Sequence, residues 1–135
     1  MTELVLDASV LVKWFRTQGE EDLDAALALR SAFEEGALLL VEPPLVHPEL
    51  INIAARRWRW EEGRLVSLAR LLVQLRLRLV EPELDRVASW AARGLTAYDA
   101  AYVAVAEAGA VPLITSDDLV LATASGIARP LGSWR

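Results

Sequence analysis

The sequence predicts an α/β fold, with a mostly parallel sheet covered by helices on both sides. Two observations carry this. The strand-like segments are short, continuously apolar runs with no alternating polar face, as strands buried on both sides require. Between them lie longer stretches in which apolar residues recur near every 3.6 positions, so strands alternate with helices along the chain.

Leu4 to Leu6 is the first such run, and it stops at Asp7. Val10, Leu11, Trp14 and Phe15 then recur at helical spacing. From Glu20 to Glu35 the residues Leu23, Ala26, Leu27, Leu29 and Phe33 mark a second helix, which Gly36 is placed to end. Leu38 to Val41 is a second buried strand. Pro43 and Pro44 precede a helix read through Leu45, Glu49, Ile53 and Trp60, and after Gly63 the stretch Leu65 to Leu75 continues in helical periodicity. Leu77 to Val80 fits a short third strand. Ser89 and Trp90 belong to a helix ending at Gly94, and Thr96 opens another that runs to about Gly109. Pro112 to Thr115 forms a strand leading into Asp117 and Asp118, and Ala128 to Leu131 is placed to close the sheet. The leucine-rich stretch Leu71 to Leu79 is read as core helix.

The chain has 135 residues, enough for one domain (residues 1–135) with a substantial core of its own. With no cysteine, disulfide frameworks, thiolate zinc sites and cysteine nucleophiles are excluded. No apolar run approaches the roughly 20 residues that a spanning helix needs, and the first residues lack a basic leader. The expected location is therefore the cytoplasm, with no membrane partner. A formal net charge of -5 counts against a general nucleic-acid binder. The positive charge is uneven, however, with Arg56, Arg57, Arg59, Arg64, Arg70, Arg76 and Arg78 close together, and Lys13 is the only lysine. Guanidinium forks suit phosphate or carboxylate contacts.

Ligand sites in open parallel sheets form beyond the carboxyl ends of the strands. Asp7 directly follows Leu4-Val5-Leu6 and Asp117 follows Leu113-Ile114-Thr115-Ser116, so both would project at one sheet edge. Glu49 and Asp99 lie in the first turns of two helices, each beside residues that should pack inward. Four carboxylates from four distant segments would thus meet. Such a cluster repels itself and is relieved by a divalent cation, and hard oxygen ligands suit Mg²⁺ or Mn²⁺. The natural chemistry is phosphodiester hydrolysis by a metal-activated water.

Each acid also has a structural job open to it. Asp7 and Asp117 fit as N-caps, Thr96 and Asp99 have the spacing of a capping box, and Glu49 could oppose a helix dipole. Capping does not explain why two apolar strands both end in Asp. Ser9 and Thr115 could orient the carboxylates or serve as turn residues, and Asn52, one turn after Glu49, could support it or be a buried satisfied amide. His47, the only histidine, rules out a multi-histidine site and reads as a surface residue, as does Asp118. Arg56-Arg57-Trp58-Arg59-Trp60 interleaves cations with aromatics as phosphate contact and base stacking require, but the motif is weak, and an amphipathic helix with its tryptophans in a core or dimer interface is the preferred reading of the same string. Trp14, Trp90 and Trp134 are read as packing residues.

With these residues in place the chain resembles the PIN-domain family, and in its compactness the VapC-type toxins of toxin–antitoxin pairs. The resemblance is carried by Val5-Leu6-Asp7-Ala8-Ser9, by Glu49-Leu50-Ile51-Asn52, by the stretch from Leu95-Thr96-Ala97-Tyr98-Asp99 to Ala106, and by Leu113-Ile114-Thr115-Ser116-Asp117. It implies a three-layer sandwich around a mostly parallel sheet of four to five strands. It further implies a Mg²⁺- or Mn²⁺-dependent RNA endonuclease with Asp7, Glu49, Asp99 and Asp117 as metal ligands and Ser9, Asn52 and Thr115 as supporting polar groups. A homodimer held by a cognate antitoxin, which places a basic side chain in the acidic pocket, is implied as well. Two alternatives stand beside this: a PIN-like RNA- or protein-binding module without catalysis, and a phosphatase of the haloacid-dehalogenase type. Asp7-Ala8-Ser9 lacks the second aspartate that the latter needs two positions on.

Overall fold

In the computed structural model, which describes residues 1–16, 18–19 and 21–134, the central strand β1 (Thr2–Leu6) buries Leu4, Val5 and Leu6 completely. Burial of such side chains is worth about 1.5–3 kcal/mol each, and a strand with no exposed apolar face must be covered on both sides. On one side β1 pairs in parallel with β2 (Leu38–Glu42), which pairs with β3 (Arg78–Leu79). On the other it pairs with β4 (Leu113–Thr115), which pairs with β5 (Ala128–Pro130). The result is a five-stranded, all-parallel sheet in the order β3-β2-β1-β4-β5, flanked among the described residues by seven α-helices.

Helix α1 (Ala8–Leu11) continues as a 3-10 turn through Trp14 and packs on β1 and β4, and α2 (Leu23–Glu34) packs on β2. Trp14 joins the two, since its Nε1 donates to the Ala26 carbonyl at 2.9 Å. The chain leaves α2 through Gly36 at φ 80°, a left-handed conformation that a glycine adopts without a Cβ clash, and Ala37 N–H then reaches back to the Ala32 carbonyl at 2.8 Å. Glu20, where the helix is expected to begin, lies outside the described residues, and the helix itself starts at Leu23.

Helices α3 (Val46–Arg56) and α4 (Glu62–Gln74) follow β2, and α5 (Leu84–Ala92) and α6 (Ala97–Gly109) follow β3. Every residue of α6 from Ala100 to Ala106 is buried. It lies against β1, β2 and β4 with α5 on its outer side, and its alanines let the neighbouring backbones approach closely. Arg86 and Trp90 of α5 both donate to Glu107 Oε1 of α6, at 2.9 and 3.3 Å. Helix α7 (Asp118–Thr123) links β4 to β5.

Three expectations are corrected. Helix α3 ends at Arg56, so Trp58 and Trp60 stand outside it. The stretch from Leu71 to Leu79 is not a core helix: Leu72 is buried, but Leu71 and Val73 are exposed, α4 stops at Gln74, and β3 is a two-residue edge strand with both residues exposed. His47 is half-buried, and its Nε2 is enclosed without a hydrogen-bond partner. Asp118 is exposed, as expected.

Candidate active site

The chain order of the sheet reverses at β1, whose two neighbours are reached by connections running in opposite directions. At such a point the loops beyond the strands diverge and leave a crevice. A cavity of about 320 Å³ opens there, and its wall includes Asp7, Glu49, Asp99 and Asp117. The four acids expected from the sequence therefore face one space. They come from the end of β1, the first turn of α3, the first turn of α6 and the loop after β4.

Asp7 occupies the N-cap position of α1 but makes no side-chain cap bond. Its carboxylate is held instead by Ser9, whose hydroxyl donates to Oδ1 at 2.5 Å and accepts from the Ser116 N–H at 3.1 Å. Burial pushes its pKa up to about 6 against the opposing hydrogen bonds from Ser9 and from the fully buried Thr115, with the Asp99 charge adding to the rise. Capping thus leaves Asp7 unexplained.

Glu49 is raised further, to about 7, by desolvation first and then by the charges of Asp99 and Asp7. Its Oε1 is enclosed without a partner. The Tyr102 hydroxyl stands beside it and draws its pKa down slightly, yet makes no hydrogen bond of good geometry to any group. Asp99 is raised by burial and by Asp117, while its N–H donates to the Thr96 hydroxyl at 3.1 Å. Asp117 does cap its helix, accepting from Val120 N–H at 3.0 Å, and its own N–H donates to Thr115 Oγ1 at 3.0 Å. Asp117, not Asp118, lines this cavity.

The acids are therefore electrostatically coupled in a chain from Asp117 through Asp99 to Asp7 and Glu49. Among the described residues, no three acid or imidazole side chains are drawn together closely enough to hold one ion. The donor set, all hard oxygens with one buried oxygen lacking a partner, fits a divalent ion such as Mg²⁺ or Mn²⁺.

Asn52 is exposed and lies outside the cavity wall, where Ile53 and Arg57 continue the Glu49 face of α3. Four-residue steps along a helix drift less in angle than a three-residue step, which favours the latter pair. Three residues were missed from the sequence. Tyr102, one turn after Asp99, and Lys13, the single lysine, both line the cavity, as does Arg57 from the string of cations and aromatics already singled out. Lys13 Nζ donates to the Glu21 carbonyl at 2.9 Å. The third, Glu42, is fully buried beside the site, and its Oε2 accepts from the Leu6 N–H at 2.8 Å while Oε1 has no partner. Burial holds its carboxyl well above the usual range, and Asp7 adds to the rise.

Comparison with known proteins agrees with this architecture. The profile of the PIN domain matches residues 4–125. Among solved structures, PAE2754 from Pyrobaculum aerophilum shares 27% identity at a TM-score of 0.68, over 98% of this chain and 92% of that one. VapC20 of Mycobacterium tuberculosis, a toxin described as cleaving the sarcin-ricin loop, shares 16% identity at a TM-score of 0.67, over 88% and 94% of the chains. FitAcB from Neisseria gonorrhoeae shares 17% at a TM-score of 0.69, over 96% and 99%. No curated protein sequence matches at a significant level.

Proposed function

The chain belongs to the PIN-domain family, a family of nucleases, and from that membership we propose that it is a divalent-metal-dependent endoribonuclease acting as the toxin of a toxin–antitoxin pair. The observation that carries the proposal is the convergence of Asp7, Glu49, Asp99 and Asp117, from four separate segments, on one cavity at the reversal point of the sheet. Asp7 and Asp99 would hold the principal ion, Mg²⁺ or Mn²⁺, with Glu49 and Asp117 completing the cage. Such an ion, when bound, neutralises charge on a phosphodiester and lowers the pKa of a water.

The chain's own groups have distinct tasks in this reading. Ser9 and Thr115 fix the direction of the Asp7 carboxylate, and the Ser9–Ser116 bond locks it to the β4 loop. Arg57, exposed on the cavity wall, supplies a cation toward a substrate phosphate. The likeness to VapC20, a toxin described as cleaving the sarcin-ricin loop, supports RNA as substrate, and a toxin role carries with it a cognate antitoxin as partner. A homodimer acting in the cytoplasm completes the proposal, and exposed Leu71, Val73 and Leu84 offer apolar surface for association.

The test is incubation of antitoxin-free protein with total cellular RNA in Mn²⁺, Mg²⁺ or EDTA, with Asp7→Asn alongside. Discrete cuts that need metal and vanish in the variant are expected. Intact RNA throughout would move the assignment to the second reading, a binding module on a PIN scaffold.

A further inference from the structure

A second cavity, of about 520 Å³, lies next to the acidic one. Its wall includes Arg16, Trp58, Arg59, Trp60, Glu61 and Arg64. The two cavities share their supporting elements. Arg57 lines the first and its neighbour Trp58 the second, while Lys13 lines the first and Arg16, one turn further on, the second.

The tryptophans here are not arranged as core residues. Trp14 and Trp90 are 4% and 6% exposed, whereas Trp58 and Trp60 are half-buried, packed against the core and lining the cavity. Their rings lie side by side, with centroids 5.1 Å apart and planes at 45°. Two residues with a single one between them would point far apart on a helix. They meet because α3 has ended and Arg59 takes a left-handed conformation at φ 54°, which costs roughly 1–2 kcal/mol for a residue with a Cβ. The Trp60 N–H, donating to the Ala54 carbonyl at 3.0 Å, fixes the turn. Guanidinium groups cover both rings, Arg16 at 5.4 Å from the Trp58 centroid and Arg64 at 3.8 Å from that of Trp60. Three arginines face one glutamate, in a chain whose net charge is -5.

Aromatic faces set among guanidinium groups are what unpaired nucleobases and their phosphates bind, the ring by stacking and the backbone by charge. A duplex hides its base faces and cannot use such a surface. We propose that the Trp58–Trp60 cavity is a stacking subsite for unpaired RNA bases flanking the phosphate that enters the acidic cavity. This rests on the nuclease reading for its choice of substrate. It assigns a specificity element to residues outside the four acids, one that demands a single-stranded target.

The test is binding of a short, unstructured, fluorescein-labelled RNA in EDTA, read by anisotropy at ~0.1 M salt so that no cleavage is needed. Trp60→Ala and Trp58→Ala should each weaken binding about 5- to 150-fold, the range expected for one lost stacking partner. Trp60→Phe should retain most of the affinity, and thermal melting shows whether each variant is folded. A blunt RNA duplex should bind the parent and the variants alike. Unchanged single-strand affinity in both folded alanine variants overturns the subsite, as does an equal loss for the duplex. Conversion of a parent dimer to monomer with RNA affinity intact also overturns it, and gives the surface to a second copy of the chain. A parent that cuts RNA in Mn²⁺ but shows no effect of these substitutions refutes only the subsite. A parent that fails to cut, yet loses RNA affinity in the variants, supports the subsite and refutes the nuclease.

Discussion

The Ser9 hydroxyl donates to Asp7 Oδ1 at 2.5 Å and accepts from the Ser116 N–H at 3.1 Å, so one small side chain ties the carboxylate after β1 to the loop after β4. Ser9→Ala removes a hydrogen bond that favours the charged form of Asp7, whose pKa should rise above about 6. Titration with Mn²⁺ at several pH values checks this: the half-maximal pH for binding should move upward in the variant, and a tenfold rise in the proton affinity of Asp7 would weaken binding at pH 6 roughly fivefold.

Metal-free protein should lose stability as pH rises. Asp7 and Glu49 bind protons more tightly folded than unfolded, so their contribution is fully present below about pH 4 and is lost as pH climbs through about 6 and 7. For Asp7 alone this is ~3 kcal/mol, at about 1.4 kcal/mol for each tenfold change in proton affinity. Thermal melts in EDTA at pH 5 and pH 8 should show the lower Tm at pH 8, and Mn²⁺ should restore it. Equal Tm values in EDTA would show that the carboxyls titrate normally.

Asp7→Asn removes the buried charge while keeping an oxygen that can accept from Ser9. In EDTA at pH 8 the variant should therefore melt no lower than the parent, and its Tm should no longer respond to Mn²⁺. A large fall in Tm would make Asp7 a structural residue.

Glu42 tests the layer behind the site. Burial holds its carboxyl well above the usual range and so favours the neutral form, and Glu42→Gln should change stability by under ~1 kcal/mol because the amide oxygen can still accept from the Leu6 N–H. Glu42→Ala leaves that N–H unsatisfied beside a void and should cost about 2–4 kcal/mol. Urea denaturation at pH 7 separates the two.

Tyr102→Phe removes a hydroxyl whose contact with Glu49 falls short of good hydrogen-bond geometry, and the variant should unfold within ~0.5 kcal/mol of the parent. The same hydroxyl holds the Glu49 pKa down, so the pH at which Mn²⁺ binds should shift upward in this variant.

The buried strands and the acids at their ends are legible because an apolar run closed by Asp has few other uses, and β1 with Asp7 and β4 with Asp117 illustrate it. Glu42 was not legible. It ends the run Leu38–Val41 as a surface acid would, and only the pairing of β1 with β2 encloses it. Nor was the meeting of Trp58 with Trp60, which depends on a left-handed Arg59 that no glycine or asparagine signals. The periodicity of Leu71 and Val73 gives a helix but not which of its faces is covered. For Asn52, one helical turn was too coarse a ruler: Ile53, a single position later, takes the place on the cavity wall.

The Ser9–Ser116 bond joins residues 107 positions apart in sequence, so the pocket is a property of the folded chain and of no local segment. Closing a loop of that length has an entropic cost, which the pairing of β1 with β4 must offset before Asp7 and Asp117 line one space.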